Sequence, residues 1–289
     1  MISREPPAYS SGVTIRVGIS GWTYRPWRGD FYPRGLRQRD ELQFVAERMN
    51  SVEINGSFYS LQRRSAYAGW AAVVPEDFVF AVKGGRFITH MKKLSGIETP
   101  LANFFASGVL ALDRKLGPLL WQLPPNLGFD NQRMETFLSA LPRTAGAAAV
   151  IAGGRDHRMP DHRAQLTAGH PHHPLRHAVE VRHESFRTQA FYEQLRRHHV
   201  GLVLADNPGQ WPIIEEPTSD LMYVRLHGHE ELYASGYSDQ QLDEWAARIR
   251  GWSEAGQDVY VYCDNDAKVR APYDAMGLMR RLGLSGSNG

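Results

Sequence analysis

The stretch AVEVRHESF, residues 178–186, ends an apolar run in a glutamate, an arginine and a histidine. In an extended strand the side chains alternate between two faces, so Glu180 and Arg182 share one face while Val179 and Val181 take the other. A lone buried ion costs on the order of several kcal/mol, so such groups are kept paired, solvated or in use. The stretch therefore predicts a buried strand that ends at a polar site.

Short strand-like runs recur eight times along the chain, separated by longer segments that can hold a helix. The runs are TIRVGI (14–19), SVEI (51–54), FVFAVK (78–83), PLLWQL (118–123), HAVEVR (177–182), VGLVLA (200–205), LMYVRL (221–226) and DVYVYC (258–263). This alternation is typical of parallel βα units, and a closed (β/α)8 barrel uses about 250 residues. We predict an α/β protein with a (β/α)8 TIM-barrel fold; an open doubly wound sheet is the alternative.

Two intervening segments have the apolar spacing of amphipathic helices. RDELQFVAERM (39–49) and SDQQLDEWAARIRGW (238–252) each place their apolar residues on one helical face. Ser238 and Asp130 precede helical patterns and are predicted N-caps. These segments are predicted to lie in the outer ring of the barrel.

The chain is predicted to form a single barrel domain over residues 14–284. Residues 143–176 are rich in Gly, Pro and Ala and contain five of the twelve histidines, so we predict an extended loop between the fourth and fifth strands. Residues 1–13 and 285–289 are predicted to be disordered or flexible tails.

Composition narrows the classes of protein. The only cysteine, Cys263, excludes an internal disulfide, and the first residues lack the apolar core of a signal peptide, so we expect a cytoplasmic protein. No apolar run approaches the roughly 20 residues that cross a bilayer, so no membrane association is expected. The formal net charge of +2 gives no general argument for nucleic acid.

Functional residues of such barrels gather at the carboxyl ends of the strands and in the loops that follow. Polar and aromatic residues do follow the predicted strands. They are Trp22, Tyr24, Glu53, Asn55, Tyr59, Lys83, Arg86, His90, Gln122, Glu180, Arg182, His183, Asp206, Arg225, His227, Asn265 and Asp266. The sequence therefore predicts one shared mouth at this end of the barrel.

Several segments also resemble a known family. They are GISGWTYRPWRGDFYP, VEINGSFYSL, FVFAVKGGRFITH, LGPLLWQLPP, AVEVRHESF, YVRLHG and VYVYCDND, which together span nearly the whole chain. They are similar to the YecE-like family of bacterial proteins of unknown function, and this resemblance implies a TIM barrel without a substrate or reaction. The chain departs from this family at two places. Gly56 stands where the family usually has serine, and the segment YCDND, which contains Asp264, stands where YFNND is more usual, so we assign neither residue a role.

Carboxylates and imidazoles in the mouth predict a divalent metal as a candidate cofactor. Oxygen and nitrogen groups of this kind hold divalent metals. The candidate ligands are Glu180, His183, Asp206 and His227. The alternative is a structural network of ion pairs that includes Glu180 and the neighbouring cations.

The cations predict an anionic ligand, either a small molecule or a nucleic acid. Lys83, Arg86, Arg182 and Arg225, together with His90 and His227 if these are protonated, outnumber the carboxylates, and an arginine fork grips phosphate or carboxylate oxygens. The aromatic residues can stack on a base or sugar. We predict twelve binding residues, namely Trp22, Tyr24, Asn55, Tyr59, Lys83, Arg86, His90, Gln122, Arg182, Arg225, Asn265 and Asp266.

The first predicted function is hydrolysis, with or without metal, of a phosphate-containing substrate such as a nucleotide or nucleic acid. In it Glu53 or Glu180 acts as general base or metal ligand, and His183 or His227 as general acid or ligand. One alternative is a metal-free sugar isomerase or lyase. The other is a protein that binds an anionic nucleotide or nucleic acid without catalysis.

Overall fold

Eight parallel strands close into a barrel in the computed structural model, which describes residues 13–286. The strands are β1 (Ile15–Ser20), β2 (Ser51–Ile54), β3 (Val79–Lys83), β4 (Leu116–Gln122), β5 (His177–Glu180), β6 (Gly201–Asp206), β7 (Leu221–Leu226) and β8 (Asp258–Cys263). Each strand pairs with its neighbour in the chain, and β8 pairs with β1. The predicted (β/α)8 barrel is confirmed, and the open sheet is not formed.

The strand bounds follow the apolar runs closely. β2, β7 and β8 have the predicted limits. β5 ends at Glu180, two residues earlier than predicted, so Arg182 lies in the loop that follows. Even so, Arg182 and Glu180 contact each other, as described below.

Alternate residues of β3 to β8 belong to two separate apolar clusters, and β1 and β2 contribute to the larger one. Val17, Val52 and Val224 belong to the larger cluster, which also contains helix residues. Ala81, Tyr223 and other inward strand residues form a smaller cluster inside the barrel. This is the period-2 alternation expected of a strand covered on both faces, and it fills the barrel interior with side chains.

The helices lie mainly between consecutive strands. They are α1 (Glu41–Ala46), α2 (Gly56–Tyr59), α3 (Arg64–Ala72), α4 (Glu98–Ala106), α5 (Asn131–Ala140), α6 (Ala145–Ala152), α7 (Gln189–Arg197), α8 (Asp239–Glu254) and α9 (Arg270–Leu282). Short 3-10 or π turns cover Arg25–Trp27, Gln38–Asp40, Phe87–Met91, Val109–Lys115, Asp161–Arg163 and Glu184–Phe186. Both predicted N-caps are confirmed, because Asp130 and Ser238 accept hydrogen bonds from the first turns of α5 and α8.

The connection between β4 and β5 is more ordered than a loop. The segment 143–176 contains α6, whose N-cap Thr144 accepts a hydrogen bond from the backbone of Ala147. The predicted tails, 1–13 and 285–289, fall largely on residues 1–12 and 287–289, which lie outside the described part. Within the described residues, no helix combines the length and hydropathy needed to cross a bilayer.

Candidate functional site

A layer of polar side chains lies above the apolar interior, at the carboxyl ends of the strands. Every member is less than 10% exposed. The layer contains Ser20, Glu53, Lys83, Gln122, Glu180, Arg225 and Asp264. Because buried charges are costly unless paired, the contacts within this layer decide which groups can react.

Arg225 on β7 organises the layer. Its Nε and Nη2 donate to both oxygens of Glu53 at 3.1 and 2.9 Å, and its Nη1 donates to Oε2 of Glu180 at 2.8 Å. Its Nη2 also lies 3.0 Å from Oδ2 of Asp264. Glu53 accepts further hydrogen bonds from Ser20 and Tyr223. One guanidinium therefore contacts three carboxylates.

Arg182 completes the pairing of Glu180. Its Nε donates to Oε1 of Glu180 at 2.7 Å, and its guanidinium lies over the ring of Trp211. Burial opposes ionisation of Glu180, but Arg182 and Arg225 outweigh it and hold the pKa of this carboxyl well below its usual range. Glu180 is thus a weak base, and both of its oxygens are occupied, which disfavours the predicted general-base role.

His227 and Asp264 form a second buried pair. Nδ1 of His227 lies 2.8 Å from Oδ2 of Asp264, although the contact is not aligned as a hydrogen bond. Burial and the nearby Arg225 lower the pKa of His227. Burial of Asp264 is outweighed by Arg225 and His227, so its pKa is also lowered. The pair is therefore a neutral imidazole beside a carboxylate.

A cavity of about 390 Å³ opens above this layer. It is lined by Phe58, Tyr59, Lys83, Arg86, His90, Gln122, Arg182, Tyr233, Asp264 and Asp266. The volume is in the range of about 300–1,000 Å³ that is usual for small-molecule sites. Seven of the twelve predicted binding residues lie in this lining, and Arg225 lies in the polar layer.

Lys83 is a lining residue whose charge has no close partner among the described residues. Its ammonium lies over the ring of Phe58, 4.4 Å from the centroid. Among residues 13–286 its Nζ makes no hydrogen bond or ion pair, because the nearby carboxylates face the arginines. Burial, followed by the charge of Arg225, lowers the pKa of Lys83 to about 8.

Two other lining groups also have shifted pKa values. Burial and the charge of Asp264 raise the pKa of Asp266 to about 6. Burial and Lys83 lower the pKa of His90 to about 4, so this imidazole is neutral at pH 7. Asp266 and Lys83 are therefore the lining groups that can exchange protons near neutral pH.

A second cavity, of about 740 Å³, adjoins the first. Both are lined by Phe58, Tyr59 and Arg86, and Tyr59 is 70% exposed at their shared edge. Asn103 and Asp156 also line the larger cavity and hydrogen-bond to each other. The two spaces together can hold a ligand with an anionic part and an uncharged part.

The predicted metal ligands do not come together, and the described part of the chain contains no group of three or more side chains that could hold a metal ion. Glu180 is held by two arginines and His227 by Asp264. His183 is exposed and contacts Ser185, while Asp206 accepts a hydrogen bond from Tyr237. His183 and Asp206 line neither cavity, and their role as metal ligands stays a prediction.

Besides Arg225, four predicted binding residues line neither cavity. Asn265 is fully buried and donates to Ser235 and Asp274. The ring of Trp22 packs against Trp70. Tyr24 donates to the backbone of Ser20 beneath the cavity, and Asn55 precedes α2. The contacts of Asn265, Trp22 and Tyr24 hold their own loops in place, whereas Oδ1 of Asn55 has no hydrogen-bond partner among the described residues.

The sequence interpretation missed several residues of the site. Asp264 was set aside because it departs from the family pattern, yet it contacts Arg225 and lines the cavity. Tyr223 could have been found from strand alternation, because it lies two residues before Arg225 on β7. Tyr233 and Trp211 come from loops, for which no periodic signal exists.

Comparison with known proteins gives a family but no activity. A family model described as "Protein of unknown function DUF72" matches residues 16–288. The UPF0759 protein YunF of Bacillus subtilis is 24% identical over 285 residues, covering 88% of this chain and 89% of that protein.

Two solved structures are similar along almost their whole length. A DUF72 family protein of Thermotoga maritima has a TM-score of 0.74 and 24% identity, covering 93% of this chain and 99% of that one. One from Enterococcus faecalis has a TM-score of 0.71 and 18% identity, covering 94% and 96%. At this identity the likeness concerns the fold.

Proposed function

We propose that this chain, which belongs to the DUF72 family of proteins of unknown function, is an enzyme. It binds a small phosphate-bearing molecule in the cationic cavity and transforms it by metal-free acid–base chemistry. The narrower YecE-like assignment stays a prediction. The observation that carries the proposal is the distribution of charge pairs. Arg225 and Arg182 take up the carboxylates, so Lys83 and Arg86 line the cavity without an ion-pair partner among the described residues.

Phosphate suits this arrangement. It carries up to two negative charges, and arginine can bind two of its oxygens in parallel hydrogen bonds. Arg182 is held in place by Glu180 and Trp211, so little side-chain freedom is lost when a ligand arrives. The adjoining cavity offers Tyr59 and Phe58 as surfaces for the organic part of the substrate, as in a nucleotide.

The acid and base come from the cavity wall. Lys83 and Asp266 have pKa values of about 8 and about 6, on either side of neutral pH. Groups with pKa values near the working pH are the most effective in proton transfer. These properties favour the isomerase or lyase alternative over metal-assisted hydrolysis, because the predicted ligands face other partners.

Hydrolysis of a phosphate ester is the second candidate, favoured by Asp266. Its carboxylate lines the cavity beside the hydroxyl of Tyr24, and with a pKa of about 6 it is mostly ionised at pH 7 and could take a proton from water. Release of phosphate from p-nitrophenyl phosphate in EDTA would support this reaction if Asp266→Asn abolished it but kept phosphate affinity. A protein that only binds would show the affinity and no turnover.

The first test of the proposed function is binding of inorganic phosphate, measured by titration calorimetry. We expect Arg86→Met to weaken binding by roughly tenfold or more, since a hydrogen bond to a charged group contributes about 1.5–3 kcal/mol. Arg34→Met is the matched control, because Arg34 is exposed and lines neither cavity. Equal affinity in all three proteins, or no binding by the wild type, would contradict the proposal.

A further inference from the structure

We infer that Lys83 is a nucleophilic amine that forms an imine with the aldehyde or ketone group of a phosphate-bearing substrate held in the cavity. This inference rests on the proposed function and deepens it, since it names the reacting atom and the substrate class. The substrate would be a phosphorylated carbonyl compound, and the reaction would be cleavage or isomerisation next to the carbonyl carbon.

The first support is the position of the amine. Lys83 is the last residue of β3, is 7% exposed, and lines the floor of a 390 Å³ cavity. Its ammonium lies over the ring of Phe58 in the lining of the cavity, where a ligand atom can reach it. An imine-forming lysine needs this combination of burial and access to a cavity.

The second support is that Lys83 has no carboxylate partner within residues 13–286. Glu53, Glu180 and Asp264 all lie near enough to act on Lys83 through charge, yet their oxygens contact Arg225, Arg182 or His227. An ammonium in a tight ion pair would hold its proton and be a poor nucleophile. Because Arg225 takes these carboxylates, Lys83 is left with the ring of Phe58.

The third support is protonation. The pKa of about 8 leaves roughly one Lys83 in ten uncharged at pH 7, against fewer than about one in a thousand for an ordinary lysine. Desolvation together with a neighbouring cation is a known means of activating a lysine toward carbonyl groups. Arg225 is that cation here.

The reaction step balances without an oxidant or reductant. The lone pair of Nζ adds to the carbonyl carbon, the carbonyl oxygen takes a proton, and Nζ loses one. The resulting hydroxyl then takes a second proton and leaves as water, while the C=N bond forms. Asp266 lines the same cavity and, when protonated, can supply that proton.

The phosphate would be held by the arginines. Arg182 and Arg86 line the cavity beside Lys83. With the phosphate held there, the carbonyl group is presented to a fixed amine, which raises its effective concentration. The protonated imine then withdraws electrons from the adjacent carbon, which is what breaking a neighbouring C–C or C–H bond requires.

Pyridoxal 5′-phosphate is a suitable probe, because it carries both an aldehyde and a phosphate. We would incubate it with the wild-type protein, reduce the imine with borohydride and locate the label by peptide mass spectrometry. The chain has only five lysines, namely Lys83, Lys92, Lys93, Lys115 and Lys268, so each can be quantified. We expect labelling of Lys83 to saturate near one equivalent, to rise with pH around 8 and to fall with excess inorganic phosphate.

The matched variants are Lys83→Arg, which keeps the positive charge, and Lys93→Arg, which leaves the cavity unchanged. Lys83→Arg should lose the saturable label but keep phosphate affinity, and Lys93→Arg should behave as wild type. Phosphate binding with no preferential labelling of Lys83 would overturn this inference alone. Absence of phosphate binding would overturn the proposed function as well. If Lys83→Arg fails to fold, the distribution of label over the five lysines of the wild type still tests whether Lys83 forms the imine.

Discussion

Arg225 brings one positive charge into a buried layer that contains three carboxylates, and the shape of its side chain determines what each neighbour can do. Its fork contacts Glu53 with two nitrogens and Glu180 with a third. A lysine at this position could not satisfy these carboxylates at once, because its charge sits on a single nitrogen. The free amine of Lys83 is therefore a consequence of the arginine at 225.

Lys83 should lower the stability of the folded protein at neutral pH. Its pKa is about 8 when folded and near 10.5 when unfolded, so between these values the unfolded chain binds more protons and stability rises with pH. We expect Lys83→Met to raise the free energy of unfolding at pH 7 by on the order of 3 kcal/mol. Urea denaturation at pH 7, 8 and 9 measures this.

The difference in free energy of unfolding between Lys83→Met and the wild type should narrow as the pH rises from 8 toward 10.5. Lys93→Met is the control and should change stability little at any pH. A less stable Lys83→Met protein at pH 7 would mean that the ammonium is needed to balance the carboxylates around it.

Strand alternation made part of the site predictable at the level of residues. It put Glu180, Arg182 and Arg225 at one mouth, and these side chains do meet. Strand alternation does not extend to His183, because β5 ends at Glu180 and His183 is exposed and contacts Ser185 in the loop that follows. Asp264 departs from the family pattern and yet contacts Arg225 and lines the cavity.

At the scale of elements, α8 has the clearest local signal. Ser238 accepts from the backbone of Gln241, and the Gln241 side chain accepts from the backbone of Ser238, forming a capping box. The helix continues through Gly251 to Glu254, so its packing against the barrel outweighs the cost of an internal glycine.

Loss of this cap should destabilise the protein modestly. We expect Ser238→Ala to lower the free energy of unfolding by about 1 kcal/mol, the usual contribution of an N-cap side chain. Thermal unfolding followed by circular dichroism gives the change. Ser253→Ala in the same helix is the control and should be neutral or slightly stabilising, because alanine has the higher helix propensity; equal losses in both variants would contradict a role for the cap.

Elements with strong periodicity were predictable, and those without it were not. The first and last residues of β2, β7 and β8 were predicted correctly, because apolar residues recur at every second position along these strands. α6 was taken as loop because AGAAAVIA is apolar all round and lies among glycines and prolines, so it has no amphipathic pattern. Only packing in the folded protein makes this segment helical.

At the scale of the whole molecule, the polar layer joins parts of the chain that are far apart in sequence. Ser20, Glu53, Glu180, Arg225 and Asp264 come from β1, β2, β5 and β7 and from the residue after β8. The number of strands could be counted in the sequence, but which charges pair could not, because that depends on how the closed barrel aligns the strands.

This wide spacing has a consequence for the order of events when the barrel assembles. The contact between Glu53 on β2 and Tyr223 on β7 requires closure of a loop of 170 residues, so it should form after local βα units have condensed. Tyr223→Phe removes the hydroxyl group that donates a hydrogen bond to Glu53. We therefore expect this variant to unfold faster by on the order of tenfold and to refold at the wild-type rate.

Stopped-flow measurements of Tyr223→Phe across a range of urea concentrations would give the folding rate and the unfolding rate separately. A slower refolding limb would place the junction of β2 and β7 in the nucleus instead. If this result is obtained, the polar layer beneath the cavity also stabilises the closed barrel after the transition state for folding has been passed. Its contacts then determine how long each molecule stays folded.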